Sequence, residues 1–295
     1  MLKPIRQSLA LRTERTKVRI TSAKSEMAKA EETAMSGLKV RRASDDPSRW
    51  PEISALQAAM DDQKGYLDNV NRVESYLNTA DKTLGSATKL LSRAREMALQ
   101  LTNEIYTAVD RSAAASEIDT LKSQLIEVAN TEMNGRYLFA GTSYDTEAFD
   151  NTGTYLGNTD EPEAKIGANA TLRTGWDGSQ VFTGTVDVFQ VLDALSTALN
   201  TDDAVAIRDT LNGLDGGLEQ VISWRSEIGF GQAAANDARD IATHMELILN
   251  ERKTEAVEED PAVAFTRLAD LRLAYETSLQ VTAATSRSKL FDFIQ

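Results

Sequence analysis

The chain has 295 residues, 45 acidic against 32 basic side chains, a net charge of −13 and no cysteine. Its length allows one large or two modest domains. The acidic balance argues against binding to DNA, RNA or an anionic membrane, which needs a basic face. The missing thiols exclude disulfides, thiolate catalysis and zinc–thiolate sites.

Near the start, Lys17, Arg19, Lys24, Lys29, Lys39, Arg41 and Arg42 stand among Glu26, Glu31 and Glu32. This mixture reads as a solvated helix face rather than an anion-binding stripe. From Ile5 to Leu38 the apolar residues are sparse: Ile5, Leu9, Val18, Ile20, Met27 and Met35. Such a helix cannot bury a core alone. Gly37 is its candidate C-cap.

Asp45-Asp46-Pro47 predicts the start of a second helix, because aspartate caps free backbone N–H groups and proline at the first position loses no bond. Pro51 follows closely and is expected to distort the first turns. Ile53, Leu56, Met60, Leu67, Val70, Val73, Leu77, Ala80, Leu84, Ala87, Leu91, Ala94, Ala98 and Leu101 form a stripe. Most of its steps alternate three and four, which is the seam of one helix along another. Two steps of three at Leu67–Val70–Val73 resemble a stammer. A helix from Pro47 to Leu101 would be roughly 80 Å long.

Asn103–Asp110 reads as a turn before a shorter helix with Ala114, Ile118, Leu121, Leu125 and Val128 on one face. Gly135-Arg136-Tyr137-Leu138-Phe139-Ala140-Gly141 reads as an extended run bounded by glycines. Alternation would set Tyr137 and Phe139 on one side, against the helical bundle. Residues 142–185 turn to Gly, Thr, Asp and Asn. Short β-type runs occur there at 154–156, 164–166, 170–172 and 181–182. Helix returns at Val186 with Phe189, Leu192 and Leu195. After Thr201-Asp202-Asp203 comes a stripe of Leu211, Leu214, Leu218, Val221 and Ile228, with Gly229 and Gly231 as expected interruptions. Glu259-Asp260-Pro261 repeats the acid-then-proline start. Phe265, Leu268, Leu271, Tyr275, Leu279 and Leu290-Phe291 supply the last apolar face.

Sites for chemistry are scarce. His244 is the one histidine, and reads as an ordinary helix residue. Glu258-Glu259-Asp260 lacks the pattern of a calcium loop, so it reads as a cap and a solvated turn. Ser44 has no base and no G-x-S-x-G context. Gly229-Phe230-Gly231 lacks the rest of a phosphate loop. No cofactor and no metal are expected, and the chain reads as non-enzymatic. No stretch approaches the roughly 20 apolar residues of a membrane span. The opening lacks the basic and apolar regions of a cleavable secretory signal.

Several segments resemble the flagellin superfamily, and within it the hook-associated protein 3 family. They are Ser36-Gly37-Leu38-Lys39-Val40 with Ser44-Asp45-Asp46-Pro47, and Leu121–Asn130 with Asn134-Gly135 through Gly141. Val221, Arg225 and Glu227-Ile228-Gly229 belong with them, as do Glu259-Asp260-Pro261 through Leu268 and Ser286–Phe291. The resemblance implies a structural protein of the bacterial flagellum, extracellular, in the layer between hook and filament. It implies export by the type III apparatus with a chaperone. It also implies self-assembly in a ring or helical layer, with hook-associated protein 1 below and flagellin above. The alternatives are a short flagellin, or a helical secreted adhesin or effector whose insert binds a surface ligand.

The expected fold is mainly α: an elongated antiparallel helical bundle or coiled coil formed by the N- and C-terminal arms, with a small inserted β-rich domain. Residues 1–45 and 258–295 would form terminal helices, 46–141 and 186–257 a helical rod, and 142–185 an exposed insert. Ile5, Leu9, Val18, Ile20, Leu271, Tyr275, Leu279, Leu290 and Phe291 are the candidate assembly residues. Gly37, Asp45, Asp46, Pro47, Gly135, Arg136, Tyr137, Phe139 and Gly141 are the candidate structural motifs. The thin terminal stripes face no obvious local partner, so both arms are expected to be mobile in the free monomer.

Overall fold

The computed structural model describes residues 3–294 apart from Glu104. For residues 3–10, 12, 13 and 285–294 it describes the backbone alone. The fold is mainly α. In chain order the elements are α1 (Lys3–Ser36), α2 (Trp50–Leu101), α3 (Ala108–Ala129), β1 (Glu132–Met133), β2 (Arg136–Tyr137), β3 (Glu163–Lys165), β4 (Thr171–Arg173), α4 (Gly178–Phe182), α5 (Val188–Asn200), α6 (Ala204–Val257) and α7 (Pro261–Ile294). Two compact units are formed: residues 1–61 with 247–295, and residues 62–246. The divisions fall inside α2 and α6.

In the unit of residues 62–246, α2 carries a regular heptad from Val70. Val70, Leu77, Leu84, Leu91 and Ala98 form one series, and Val73, Ala80, Ala87, Ala94 and Leu101 the other, all buried. Leu67, where a stammer was expected, is only half-buried. The facing helix α6 buries every seventh residue: Ile207, Leu214, Val221, Ile228 and Ala235. Glycines do not break it. Gly231 lies close to Leu77, where a Cβ would stand 3.0 Å from the Leu77 side chain, so its bareness serves helix packing. Polar ties run in reverse order along the two helices, as antiparallel packing requires. Arg95 meets Asp215, Arg225 meets Asp81 at 2.7 Å, and Arg239 meets Glu74.

Within the expected Asn103–Asp110 turn, Thr107 and Asp110 form a reciprocal capping box, so α3 begins at Ala108. Helix α3 packs on α5, and Lys122 reaches Asp193 at 2.6 Å. Arg111, 6% exposed, donates to the Leu101 and Asn103 carbonyls and pairs with Asp202. It ties the turn before α3 to the turn before α6.

The insert is less β-rich than its composition suggests. β1 and β2 form a hairpin across Asn134-Gly135, both at positive φ, and β3 pairs with β4. Tyr155 makes only an isolated bridge with Phe149. Val181 and Phe182, expected as strand, lie in α4, because Asp177 caps that turn by accepting from the Ser179 amide. Regular strand ends at Tyr137, but the run goes on pairing with residues 176–178: Ala140 bridges Asp177, and the Leu138 and Phe139 carbonyls accept from the Trp176 and Gly178 amides. Leu138, Phe139 and Ala140 are all buried, so this run is covered on both faces. Phe139 lies edge-on to Phe182 at 5.3 Å and near Trp176. Phe149 and Phe189 extend this aromatic group, which is continuous with the apolar core of α2, α3, α5 and α6. Gln220 of α6 fastens the exit of the insert, accepting from the Thr185 and Val186 amides and donating to the Val181 and Val186 carbonyls.

Candidate assembly surface

The unit of residues 1–61 and 247–295 holds the two chain ends. Helix α1 stops because Gly37 takes φ +72°, a left-handed conformation that any Cβ would strain, while its amide donates to Thr33 at 2.8 Å. The next residues pair with the segment that ends α6. Lys39 donates to the Val257 carbonyl at 2.8 Å, Leu38 bridges Glu258 antiparallel, and Glu259 donates to the Gly37 carbonyl at 2.9 Å. Lys39 also sends its ammonium to the Glu255 carbonyl. Below this junction Val40, Ile53 and Ala256 form a small apolar cluster.

The two aspartates of Asp45-Asp46-Pro47 divide the work. Asp45 accepts from the Arg41 and Arg42 amides and closes the preceding turn. Asp46 accepts from the Ser48 hydroxyl and the Ser48 and Arg49 amides, the bonding of an N-cap. Regular helix nevertheless starts at Trp50 rather than Pro47, because Pro51 has no N–H to return to Pro47. At the other junction Asp260 accepts from the Ala262 amide, and Pro261 opens α7.

The two terminal arms pair, as the expected bundle requires, so the thin stripes, expected to face no local partner, have one in each other: α1 packs on α7. Thr16, Ile20, Ala23, Met27 and Ala30 form a seam of threes and fours on α1, and Ala264, Leu268, Leu271, Tyr275 and Ser278 one on α7. All are buried or half-buried. Ile20, Leu271 and Tyr275 thus lie in a seam within the chain. Val18 (62% exposed) and Leu279 (41%) lie off it. Met35, Phe265 and Leu273 join them as large exposed apolar side chains. The side chains of Ile5, Leu9, Leu290 and Phe291 lie outside the described residues.

The other motif residues belong to the unit of residues 62–246. Gly135 completes the hairpin turn, and Arg136 lies 4.5 Å over the Tyr144 ring. Gly141 takes φ +67° against Asn158, and its amide donates to Trp176 at 3.2 Å. Tyr137 is half-buried and Phe139 fully buried. Sequence reading missed Arg111, Trp176 and Gln220, since neither periodicity nor turn chemistry distinguishes them. The seven-residue spacing of α6 was legible but masked by alanines at 235, 242 and 256. Among the described residues no cluster of three or more metal-ligating side chains occurs, and His244 is exposed.

The profile of the bacterial flagellin N-terminal helical region matches residues 8–144. Flagellar hook-associated protein 3 of Escherichia coli K12 is 26% identical over 236 residues, 71% of this chain and 74% of that protein. The match therefore extends well past the N-terminal region. The fold is similar to FlgL of Bacillus cereus (TM-score 0.61, 23% identity, covering 68% of this chain and 98% of that one). It is also similar to hook-associated protein 3 of Legionella pneumophila (TM-score 0.63, 15% identity, covering 69% and 98%). Paired terminal helices and a helical unit with a compact insert are shared with these structures, and the chain is similar to the flagellin superfamily. Within it, the chain is similar to flagellar hook-associated protein 3.

Proposed function

We propose that this chain is a structural subunit of the bacterial flagellum that forms the junction layer between hook and filament, without catalysis or cofactor. The observation that carries this reading is the pairing of α1 with α7, which satisfies one seam and leaves Val18, Met35, Phe265, Leu273 and Leu279 outward. Large apolar side chains exposed off a satisfied seam favour burial by neighbouring subunits. The chain assembles with itself in a ring or helical layer, seated on hook-associated protein 1 and followed by flagellin. It reaches the cell exterior through the type III export apparatus with a chaperone. A cysteine-free chain of 295 residues suits export in an unfolded state, since no wrong disulfide can form.

The test is electron microscopy of cells lacking the protein. The expected result is hooks without filaments and flagellin shed into the medium. Intact filaments in those cells would overturn the reading.

A further inference from the structure

The unit of residues 1–61 and 247–295 contains a cleft of about 510 Å³ between α1, the turn after Gly37 and α7. Lys29, Lys39, Arg41, Arg42 and Arg267 line it. Two of the four carboxylates there are occupied: Glu32 is shared by Arg41 and Arg42, and Asp45 accepts from two backbone amides. Glu26 and Glu259 complete the acidic lining, one fewer carboxylate than cation in a chain of charge −13. Lys39 spends its ammonium on a neutral carbonyl. Arg41 Nε is buried and meets no acceptor among the described residues, and a buried unpaired donor calls for an explanation.

The unit of residues 62–246 carries a surface of the opposite kind. Where Arg111 ties the turn before α3 to the turn before α6, Ile105 (81% exposed), Val109 (78%) and Val205 (65%) project into solvent. The exposed carboxylates Asp110, Asp202 and Asp203 surround them. Asp110 is held below the usual carboxylate range by the Thr107 amide, so it stays charged. Buried Arg111 offsets one of these three charges, and the tip remains acidic.

We propose that the cationic cleft of one copy receives the acidic tip, residues 105–110 and 202–205, of a second copy. This rests on the self-assembly reading above. The two surfaces differ, so the contact is head-to-tail and repeats from copy to copy, as a ring or helical layer requires. Opposite charge sets the register, and the exposed aliphatic side chains lose water on docking.

The absence of cysteine gives a direct test on the full chain. Val109→Cys marks the tip and Ser44→Cys marks the cleft rim, both exposed positions. Mixed under mild oxidation, the two single-cysteine chains are expected to form the mixed dimer in excess of either homodimer. High salt should suppress it. Arg267→Glu in the Ser44→Cys chain should lower the mixed yield about tenfold or more, with an unchanged helical melting transition. Homodimers formed as readily as the mixed species, or a yield insensitive to salt and to Arg267→Glu, would overturn the proposal. So would a wild-type chain that stays monomeric in sedimentation at high concentration. Loss of filaments in the deletion strain, alongside any of these results, would leave the junction reading standing and remove only this contact.

Discussion

Glu259 donates its amide to the carbonyl of Gly37 at 2.9 Å, across 222 positions of sequence. With the bonds of Lys39 and Val40 to the Val257 carbonyl, it makes a short antiparallel junction where α1 ends and α7 begins. Gly37 can serve here because its left-handed conformation turns the chain out of α1 at the level of Glu259.

This junction predicts a covalent test. Leu38 and Glu258 are antiparallel partners, and such partners have Cα atoms about 4.5–5.5 Å apart, within disulfide range. The double variant Leu38→Cys, Glu258→Cys is expected to oxidise within one chain and to migrate faster on non-reducing gels. A chain that keeps two free thiols under mild oxidant would contradict the pairing.

Phe139→Ala is expected to destabilise the unit of residues 62–246 by about 3–5 kcal/mol through the cavity it leaves. Phe139 touches Phe182 and Trp176 in the insert, but that aromatic group is continuous with the core of α2 and α6. The loss should therefore appear in the helical transition followed by circular dichroism. A helical transition unmoved while only near-ultraviolet signals loosen would separate insert from bundle.

Arg111→Met keeps the length of the side chain and removes its donors. It strands the Leu101 and Asn103 carbonyls and unpairs Asp202. The expected cost is about 2–3 kcal/mol in denaturant unfolding. Asp202→Asn should cost less than about 1 kcal/mol, since that partner is half exposed. Equal effects from the two variants would mean that the carbonyl bonds contribute nothing.

Leu279→Asp and Leu271→Asp should part company. Leu279 lies off the seam, so its variant should leave the circular dichroism of the monomer unchanged and fail to enter flagella. Leu271 lies in the α1–α7 seam, so its variant should lose helical signal before assembly is reached. Motility in the Leu279→Asp strain would remove the case for an outward assembly face on α7.

Acid should weaken the caps. The Ser48 hydroxyl and the Arg49 amide hold Asp46 below the usual carboxylate range. The Arg41 amide does the same for Asp45, and the Thr107 amide for Asp110. A carboxylate with a lowered folded pKa contributes fully above its unfolded value near about 3.9 and loses that contribution as pH falls through the folded value. The melting temperature should hold between about pH 5 and 7 and fall below about pH 4. Asp46→Asn with Asp110→Asn should lower it at neutral pH and flatten the acid limb. An acid limb as steep as wild type would place the titrating groups elsewhere.

The helices and their ends were legible in the sequence. The stripe from Val70 to Leu101 states its own partner face, because a repeat of threes and fours can be buried only along another helix. Gly37, Asp46 and Asp260 announce helix termini through local chemistry that needs no distant contact. What only the tertiary structure decided depends on long-range meetings. The thin stripes of α1 and α7 complete each other across the length of the chain. Phe139 is fully enclosed because Trp176 and Phe182, some forty residues on, pack against it. Gly231 sits within α6 with the Leu77 side chain close against it, a contact that a Cβ would crowd. Arg111 becomes a buried tie because the turn before α3 presents it with carbonyls and Asp202, 91 residues further on, with a carboxylate. Local backbone preference fixes where helices stop and start. Which side chains are buried against which is settled by packing between segments remote in sequence, and composition and spacing carry no record of those pairings.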